Sequence, residues 1–169
     1  MAVPSGSNAP WQQPDDPHRP TPPTPPMKRI LIADDNEAFR VMFATVLEGA
    51  RYEVAQAANG REALGLFLEL RPDLVLCDIV MPELEGIETM GEMLRIVPGV
   101  RIIAMSGGGR VHARDHLKLA RAMGASATLA KPFSGDEALC VIEKVLRQSS
   151  PQRPARSDIP VGAALWDRH

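Results

Sequence analysis

Five polar side chains in this sequence are of types that together could carry out phosphoryl transfer. Three are carboxylates, one is a hydroxyl and one is an amine, and each lies at the end of a short apolar run: Asp34, Asp35, Asp78, Ser106 and Lys131. Carboxylates that lie close together raise each other's pKa unless a cation lies among them. Mg²⁺ suits such a group because it prefers oxygen ligands. The hydroxyl and the ammonium would then contact phosphoryl oxygens.

The histidines and cysteines do not indicate a different reaction. His112 and His116 are spaced to share one helix face and could bind a metal, but no HExxH glutamate lies between them. They also lie on a predicted helix, so they supply no general base for peptide or ester hydrolysis. Cys77 and Cys140 have apolar neighbours and no metal-type spacing, and we expect both to be buried thiols.

The elements that must position these residues follow from the apolar pattern of residues 27–148. Five short apolar segments predict strands that are covered on both faces: Arg29–Ala33, Glu53–Ala57, Asp73–Cys77, Arg101–Met105 and Ala127–Ala130. Amphipathic segments between them predict five helices: Asn36–Gly49, Gly60–Leu70, Glu85–Ile96, Val111–Met123 and Gly135–Arg147. Regular alternation with short connections favours an α/β fold. The predicted architecture is flavodoxin-like and doubly wound, a five-stranded parallel sheet of order 2-1-3-4-5.

Such a sheet would bring the polar residues together, because its functional groups collect at the carboxyl ends of the strands. Taken singly, Asp34-Asp35-Asn36 could cap the first helix, Asp78 could be a turn residue, and Lys131-Pro132 could mark a helix entrance. Their convergence at one edge of the sheet favours a functional site over independent turn residues.

The ends of the chain differ in composition from this central segment. Nine of the 16 prolines lie in residues 1–26, which predicts a disordered Pro-rich tail, and prolines also interrupt residues 149–169, a second predicted tail. Met27 could be the first residue of the translated protein, so whether residues 1–26 are translated stays open. The C-terminal tail is too short for a further folded domain, and we expect a single-domain protein.

Net charge and hydropathy exclude two classes of partner. A formal net charge of −2 gives no electrostatic reason to bind nucleic acid or an anionic membrane. The apolar runs are far shorter than the roughly 18 residues that a membrane-spanning helix needs. We therefore expect a cytoplasmic protein.

Residues 28–147 resemble the receiver domain of bacterial two-component response regulators. The resemblance is carried by a set of motifs at the predicted strand ends: Asp34-Asp35, Asp78 with Ile-Val-Met-Pro82 and Gly86 after it, Ser106, and Lys131-Pro132-Phe133. It implies that Asp78 is the phosphoacceptor, which takes a phosphoryl group from a histidine of a sensor kinase or phosphotransfer protein. The protein would catalyse only its own phosphorylation and dephosphorylation.

The resemblance also implies roles for the other site residues. Mg²⁺ would be bound directly by Asp35 and Asp78, mainly through water by Asp34, and by the backbone carbonyl of Val80. Lys131 would pair with the phosphoryl group, and Ser106 would move toward it on activation. The Lys131–Pro132 peptide bond would be cis, as it usually is in the family.

Two departures from the family pattern leave parts of the mechanism open. Thr128 occupies the place of the usual aromatic switch residue, so the switch region of Ser106 and Thr128 lacks its aromatic side chain. Val80 is apolar where some members guide the attacking water, and we expect slow loss of the phosphoryl group. Two alternatives remain. One is a pseudo-receiver that only docks partners. The other is an aspartate-nucleophile phosphatase, which would need an acidic residue at position 80, where this sequence has Val80.

Partner surfaces are predicted on two helices. A basic series at helical spacing on the fourth helix would suit an acidic protein or simply be solvated: Arg110, Arg114, Lys118 and Arg121. On the first helix, Phe39, Phe43 and Val46 are predicted to face the core, whereas Met42 would widen the apolar face enough to meet a kinase. The downstream target is an unidentified protein.

Overall fold

The computed structural model describes residues 27–81, 86–107 and 110–148, with the backbone alone for 110–113. Both predicted tails, 1–26 and 149–169, lie outside these ranges, so their disorder stays a prediction. Strands and helices alternate along the described chain: β1 (Arg29–Ala33), α1 (Glu37–Gly49), β2 (Glu53–Ala57), α2 (Gly60–Leu70), β3 (Leu74–Asp78), α3 (Gly86–Ile96), β4 (Ile102–Ser106), α4 (Arg110–Met123), β5 (Ala127–Ala130) and α5 (Gly135–Arg147).

All strand pairs are parallel, and the sheet order is β2-β1-β3-β4-β5, which confirms the predicted flavodoxin-like fold. The central strands β1, β3 and β4 are almost entirely buried because helices cover both faces of the sheet. Side chains of α1 and α5 pack on one face and those of α2, α3 and α4 on the other. Within the described ranges, no helix is both long and apolar enough to cross a membrane.

Side-chain caps fix where three of the helices begin. Asn36 accepts a hydrogen bond from the backbone N–H of Phe39 at 3.0 Å, and Asn59 and Ser134 cap α2 and α5 in the same way. The cap of α1 is therefore Asn36, and the carboxylates of Asp34 and Asp35 are not needed for capping. Both carboxylates are therefore available to form the predicted site at the carboxyl edge of the sheet.

At the amino ends of the strands, a buried carboxylate connects two neighbouring strands. Asp73 accepts a hydrogen bond from the backbone N–H of Arg29 at 3.0 Å and pairs with the ammonium of Lys28 at 3.4 Å. The guanidinium of Arg29 in turn pairs with Glu53 at 2.7 Å. These contacts join β1, β2 and the start of β3 at the end of the sheet opposite the predicted site.

The cysteine prediction is half wrong. Cys77 in β3 is fully buried, as expected, but Cys140 in α5 is exposed. Its sequence neighbours Leu139 and Val141 are apolar and half-buried. The buried face of α5 carries Ala138, Ile142 and Val145, and a helix turns Cys140 away from that face.

Candidate functional site

Four neighbouring strands deliver the predicted site residues to the carboxyl edge of the sheet. Asp34 directly follows β1, Asp78 ends β3, Ser106 ends β4 and Lys131 directly follows β5. The backbone N–H of Lys131 donates to the carbonyl of Ser106 at 2.8 Å, which continues the pairing of β4 and β5 up to the site. Asp78 and Ser106 prove to be the last residues of their strands, so the rigid sheet itself positions them.

The three carboxylates form one compact group. Asp34, Asp35 and Asp78 each offer an oxygen, and these oxygens all lie within 4.8 Å of one another. Asp34 is completely buried and Asp78 is nearly so, whereas Asp35 is exposed. The group therefore opens to solvent on the side of Asp35. Hard oxygen donors so closely spaced fit a divalent cation such as Mg²⁺.

Lys131 bridges two of these carboxylates. Its ammonium donates to Oδ2 of Asp34 and, at 2.5 Å, to Oδ2 of Asp78. Burial acts to lower the pKa of Lys131, but the hydrogen bonds and charges of the two aspartates outweigh it and leave that pKa raised. Lys131 is therefore a charged ammonium beside Asp78.

Asp34 has an unfavourable environment for a carboxylate. Its burial raises its pKa above the usual value, and Lys131 and the backbone N–H of Asn36 offset this only in part. The negative charge of Asp78 acts in the same direction as burial. A cation bound between the carboxylates would relieve both effects, which is a second reason why the donor set fits a metal.

Backbone contacts orient the two buried carboxylates. Oδ1 of Asp78 accepts from the backbone N–H of Val80 at 2.9 Å, and Oδ1 of Asp34 accepts from that of Asn36 at 3.0 Å. In both residues, Oδ2 is then the oxygen that meets Lys131. Arg40 adds a hydrogen bond of 2.7 Å from its guanidinium to the backbone carbonyl of Asp34, a contact that the sequence did not predict.

The start of α3 lies directly against the phosphoacceptor candidate. A Cβ atom added to Gly86 would lie 1.7 Å from the carbonyl oxygen of Asp78. The Cys77 thiol donates to that same carbonyl at 3.4 Å, and burial raises the pKa of this thiol to about 12. The glycine in the motif is thus explained by close packing of α3 on the end of β3.

Lys131 also contacts an aromatic cluster that links the site to α1. Its ammonium lies 4.4 Å from the centre of the Phe39 ring. Phe39 stacks on Phe43 with a centroid distance of 5.4 Å, and Phe133 packs edge-on against both rings. The helical spacing of Phe39 predicts a core position on α1 and does not indicate this contact with the lysine.

The two residues of the predicted switch region lie on the neighbouring strands β4 and β5. The Ser106 side chain is completely buried, and its hydroxyl donates at 3.4 Å to the carbonyl of Gly107. Thr128 is half-buried and pairs in register with Ala104. Val80 is half-exposed beside Asp78, and its backbone carbonyl stays a predicted ligand. The Lys131–Pro132 bond is cis, as the resemblance implied.

The two predicted partner surfaces are solvent-accessible where the structure describes them. On α1, Met42 and its neighbour Val41 are each 53% exposed. On α4, Arg114, Lys118 and Arg121 are exposed, although Arg121 donates to backbone carbonyls just beyond the helix. The side chains of Arg110 and His112 lie outside the description, so the histidine pair stays a prediction.

Comparison with known proteins agrees with this geometry. The family model described as "Response regulator receiver domain" matches residues 30–143. A chemotaxis protein CheY of Thermotoga maritima is 39% identical over 120 residues, which cover 70% of this chain and 97% of that protein. Sporulation initiation phosphotransferase F of Bacillus subtilis is 36% identical over 119 residues, covering 70% of this chain and 94% of that protein.

Solved structures show the same fold. A CheY-like response regulator receiver domain protein from Methanospirillum hungatei superimposes with a TM-score of 0.66 at 30% identity. The superposition covers 72% of this chain and 94% of that one. The residues that the family model matches, 30–143, include all five residues at the carboxyl edge.

Proposed function

Because the chain belongs to the response regulator receiver family of two-component systems, we propose that Asp78 is its phosphoacceptor. The donor would be a phosphohistidine of a sensor kinase or a phosphotransfer protein. The observation that carries the proposal is that the nearly buried Asp78 carboxylate meets the ammonium of Lys131 at 2.5 Å inside the three-carboxylate group. Phosphorylation would then switch a protein-interaction surface.

The transfer itself is nucleophilic catalysis by a carboxylate. An oxygen of Asp78 forms a bond to phosphorus while the bond from phosphorus to the donor imidazole nitrogen breaks, and the electron pair leaves with that nitrogen. Lys131 holds a positive charge beside the phosphoryl oxygens, where negative charge is concentrated. The backbone N–H of Val80 keeps the Asp78 carboxylate oriented.

Mg²⁺ would be held by Asp35 and Asp78, by Asp34 mainly through water, and by the backbone carbonyl of Val80. When bound, it neutralises charge between the carboxylates and the phosphoryl oxygens. Oxygens of all three carboxylates lie within 4.8 Å of one another, which supports a cation shared between them.

The consequence of phosphorylation is a change of charge at a buried site. A phosphoryl group carrying about two negative charges beside Lys131 and Ser106 would draw both side chains toward it. The Ser106 hydroxyl, which now donates to Gly107, has an acceptor that it can exchange for a phosphoryl oxygen. We expect the rearrangement to bias the surface of α4, β5 and α5 between two states and thereby control a downstream protein.

The proposed activity is limited to the chain's own phosphorylation and dephosphorylation in the cytoplasm. The residue two positions after Asp78 is Val80, which is half-exposed and has no acidic side chain. Without a side chain there to guide water, the phosphoryl group should be lost slowly. A phosphoryl lifetime of seconds in the purified protein would contradict this.

The experiment is phosphorylation by acetyl phosphate with Mg²⁺, followed by intact-mass measurement. The wild-type chain should gain one phosphoryl group and Asp78→Ala should gain none. Asp73→Asn is the matched control, because Asp73 is a buried aspartate that directly precedes the same strand, at the end opposite Asp78, and the variant should still be phosphorylated. Absence of an Asp78-dependent adduct would indicate a docking module, and continuous turnover of the donor would indicate a hydrolase.

A further inference from the structure

We infer that Phe39 is a positioning residue for Lys131: its ring holds the ammonium over the phosphoacceptor, where it meets the incoming phosphoryl group. The inference rests on the proposed function of Asp78. It adds a residue of α1 to a site whose other members come from the ends of the strands.

The contact has the geometry of a cation–π interaction. The ammonium of Lys131 lies 4.4 Å from the centre of the Phe39 ring and at the same time 2.5 Å from Oδ2 of Asp78. Attraction to a ring face extends to about 6 Å from its centre and strengthens where water is excluded. The Lys131 side chain is only 18% exposed, so the ring acts on a largely desolvated ammonium.

The ring is itself held in place, so it can hold the lysine. Phe39 stacks on Phe43 at an angle of 23° between the ring planes and meets the edge of Phe133 at 87°. Phe133 follows Lys131 by two residues, so the same loop supplies both the ammonium and a ring that packs against Phe39. Reorientation of the Phe39 ring would break both aromatic contacts.

The lysine needs such a support because its side chain is long and flexible. The carboxylates of Asp34 and Asp78 hold the ammonium in the structure, and both are also predicted to contact Mg²⁺, Asp78 directly and Asp34 mainly through water. The ring of Phe39 carries no charge and binds no metal. It therefore keeps the ammonium beside Asp78 when the carboxylates exchange partners, and less rotamer freedom is lost as the phosphoryl group arrives.

The test measures the second-order rate constant of phosphorylation by acetyl phosphate in the presence of Mg²⁺. Phe39→Leu keeps an apolar side chain and removes the ring face, and it should react about fivefold more slowly. Phe39→Tyr keeps a ring face and should restore most of the rate. A merely structural role would instead follow the stability of each variant.

A graded series separates electrostatics from packing. Mono-, di- and trifluorophenylalanine at position 39 keep nearly the same shape while they withdraw electrons from the ring face. The rate constant should fall stepwise with the number of fluorine atoms. These variants also keep the test decisive if Phe39→Leu fails to fold. Trifluorophenylalanine at position 43 is the control, because Phe43 is buried in the same cluster, and it should leave the rate constant unchanged.

The outcomes distinguish this inference from the proposed function. Wild-type rates for trifluorophenylalanine at position 39, or equal slowing by the same residue at position 43, would overturn the role of Phe39 and leave the phosphoacceptor intact. A wild-type chain that forms no adduct on Asp78 would overturn both. A stepwise decline at position 39 alone would support the inference.

Discussion

Substitution of Gly86 by alanine tests the close packing of α3 on the end of β3. The added Cβ would lie 1.7 Å from the carbonyl oxygen of Asp78 and 2.7 Å from the Cα of Ile79. Both obstacles are backbone atoms, so α3 or the end of β3 must move by at least 1.3 Å to reach the closest contact that real Cβ atoms show. Overpacking of a core costs typically 1–3 kcal/mol, and we expect about 3 kcal/mol here because no side chain can yield.

The assay is urea unfolding, with thermal unfolding as a second measurement. A loss of about 3 kcal/mol corresponds to a decrease in Tm of roughly 10 °C for a domain of this size. Gly65→Ala is the matched control: Gly65 lies inside α2 with nothing within 4 Å of an added Cβ, and helix propensity predicts a gain of up to about 1 kcal/mol.

Phosphorylation should be affected by the same clash, because one of the two clashing atoms is the carbonyl oxygen of Asp78. Folded Gly86→Ala should be phosphorylated more slowly by acetyl phosphate, whereas Gly65→Ala should match the wild type. A Gly86→Ala variant with wild-type unfolding free energy and an unchanged m-value would refute the reasoning. It would mean that the start of α3 is not packed on Asp78 as the structure shows.

Three further predictions follow from burial and charge. One thiol, Cys140, should react rapidly with a maleimide at pH 8, whereas Cys77 is fully buried and burial raises its pKa to about 12; two fast thiols in the native protein would contradict this. Asp73→Ala removes the acceptor of the Arg29 backbone N–H and should cost about 1–3 kcal/mol of stability in urea, and a folded variant should be phosphorylated at the wild-type rate. Burial raises the pKa of Asp34, so the folded chain holds this proton more tightly than the unfolded chain. In EDTA, stability should therefore fall as the pH rises from about 3.9 through the raised value; Asp34→Asn should flatten this dependence, and equal slopes for the two proteins would be inconsistent with it.

The fold was predictable because its signals are local. Every residue of β3 and β4 is buried, and strands buried on both faces appear in sequence as short continuous apolar runs. The predicted boundaries of β3 differ from the observed ones by one residue at each end. Asp73 was predicted to begin β3, but its carboxylate accepts from the backbone of Arg29, and the strand instead begins at Leu74 and includes Asp78.

The aromatic contact was not predictable from the sequence, because a phenylalanine at helical spacing fits a core position equally well. Phe39 lies on α1 with Phe43 one turn later, which is the ordinary pattern of an amphipathic helix. Lys131 is distant in sequence, and only the parallel sheet brings the end of β5 beside the start of α1. The predicted burial of Cys140 was wrong for a related reason: its apolar sequence neighbours do not reveal which side of α5 faces solvent.

The position of Phe39 has a consequence for how signals pass through the molecule. Lys131 belongs to the connection that follows β5, whereas Phe39 belongs to α1, whose Val41 and Met42 are exposed to any partner that docks there. If the ammonium shifts when a phosphoryl group forms on Asp78, its contact with the Phe39 ring changes as well. Coupling between two sites is reciprocal, so a protein that binds α1 and alters that ring must change the affinity of Lys131 for the phosphoryl group. We therefore expect partner binding on α1 and phosphorylation of Asp78 to influence each other, with Phe39 as the residue through which they do so.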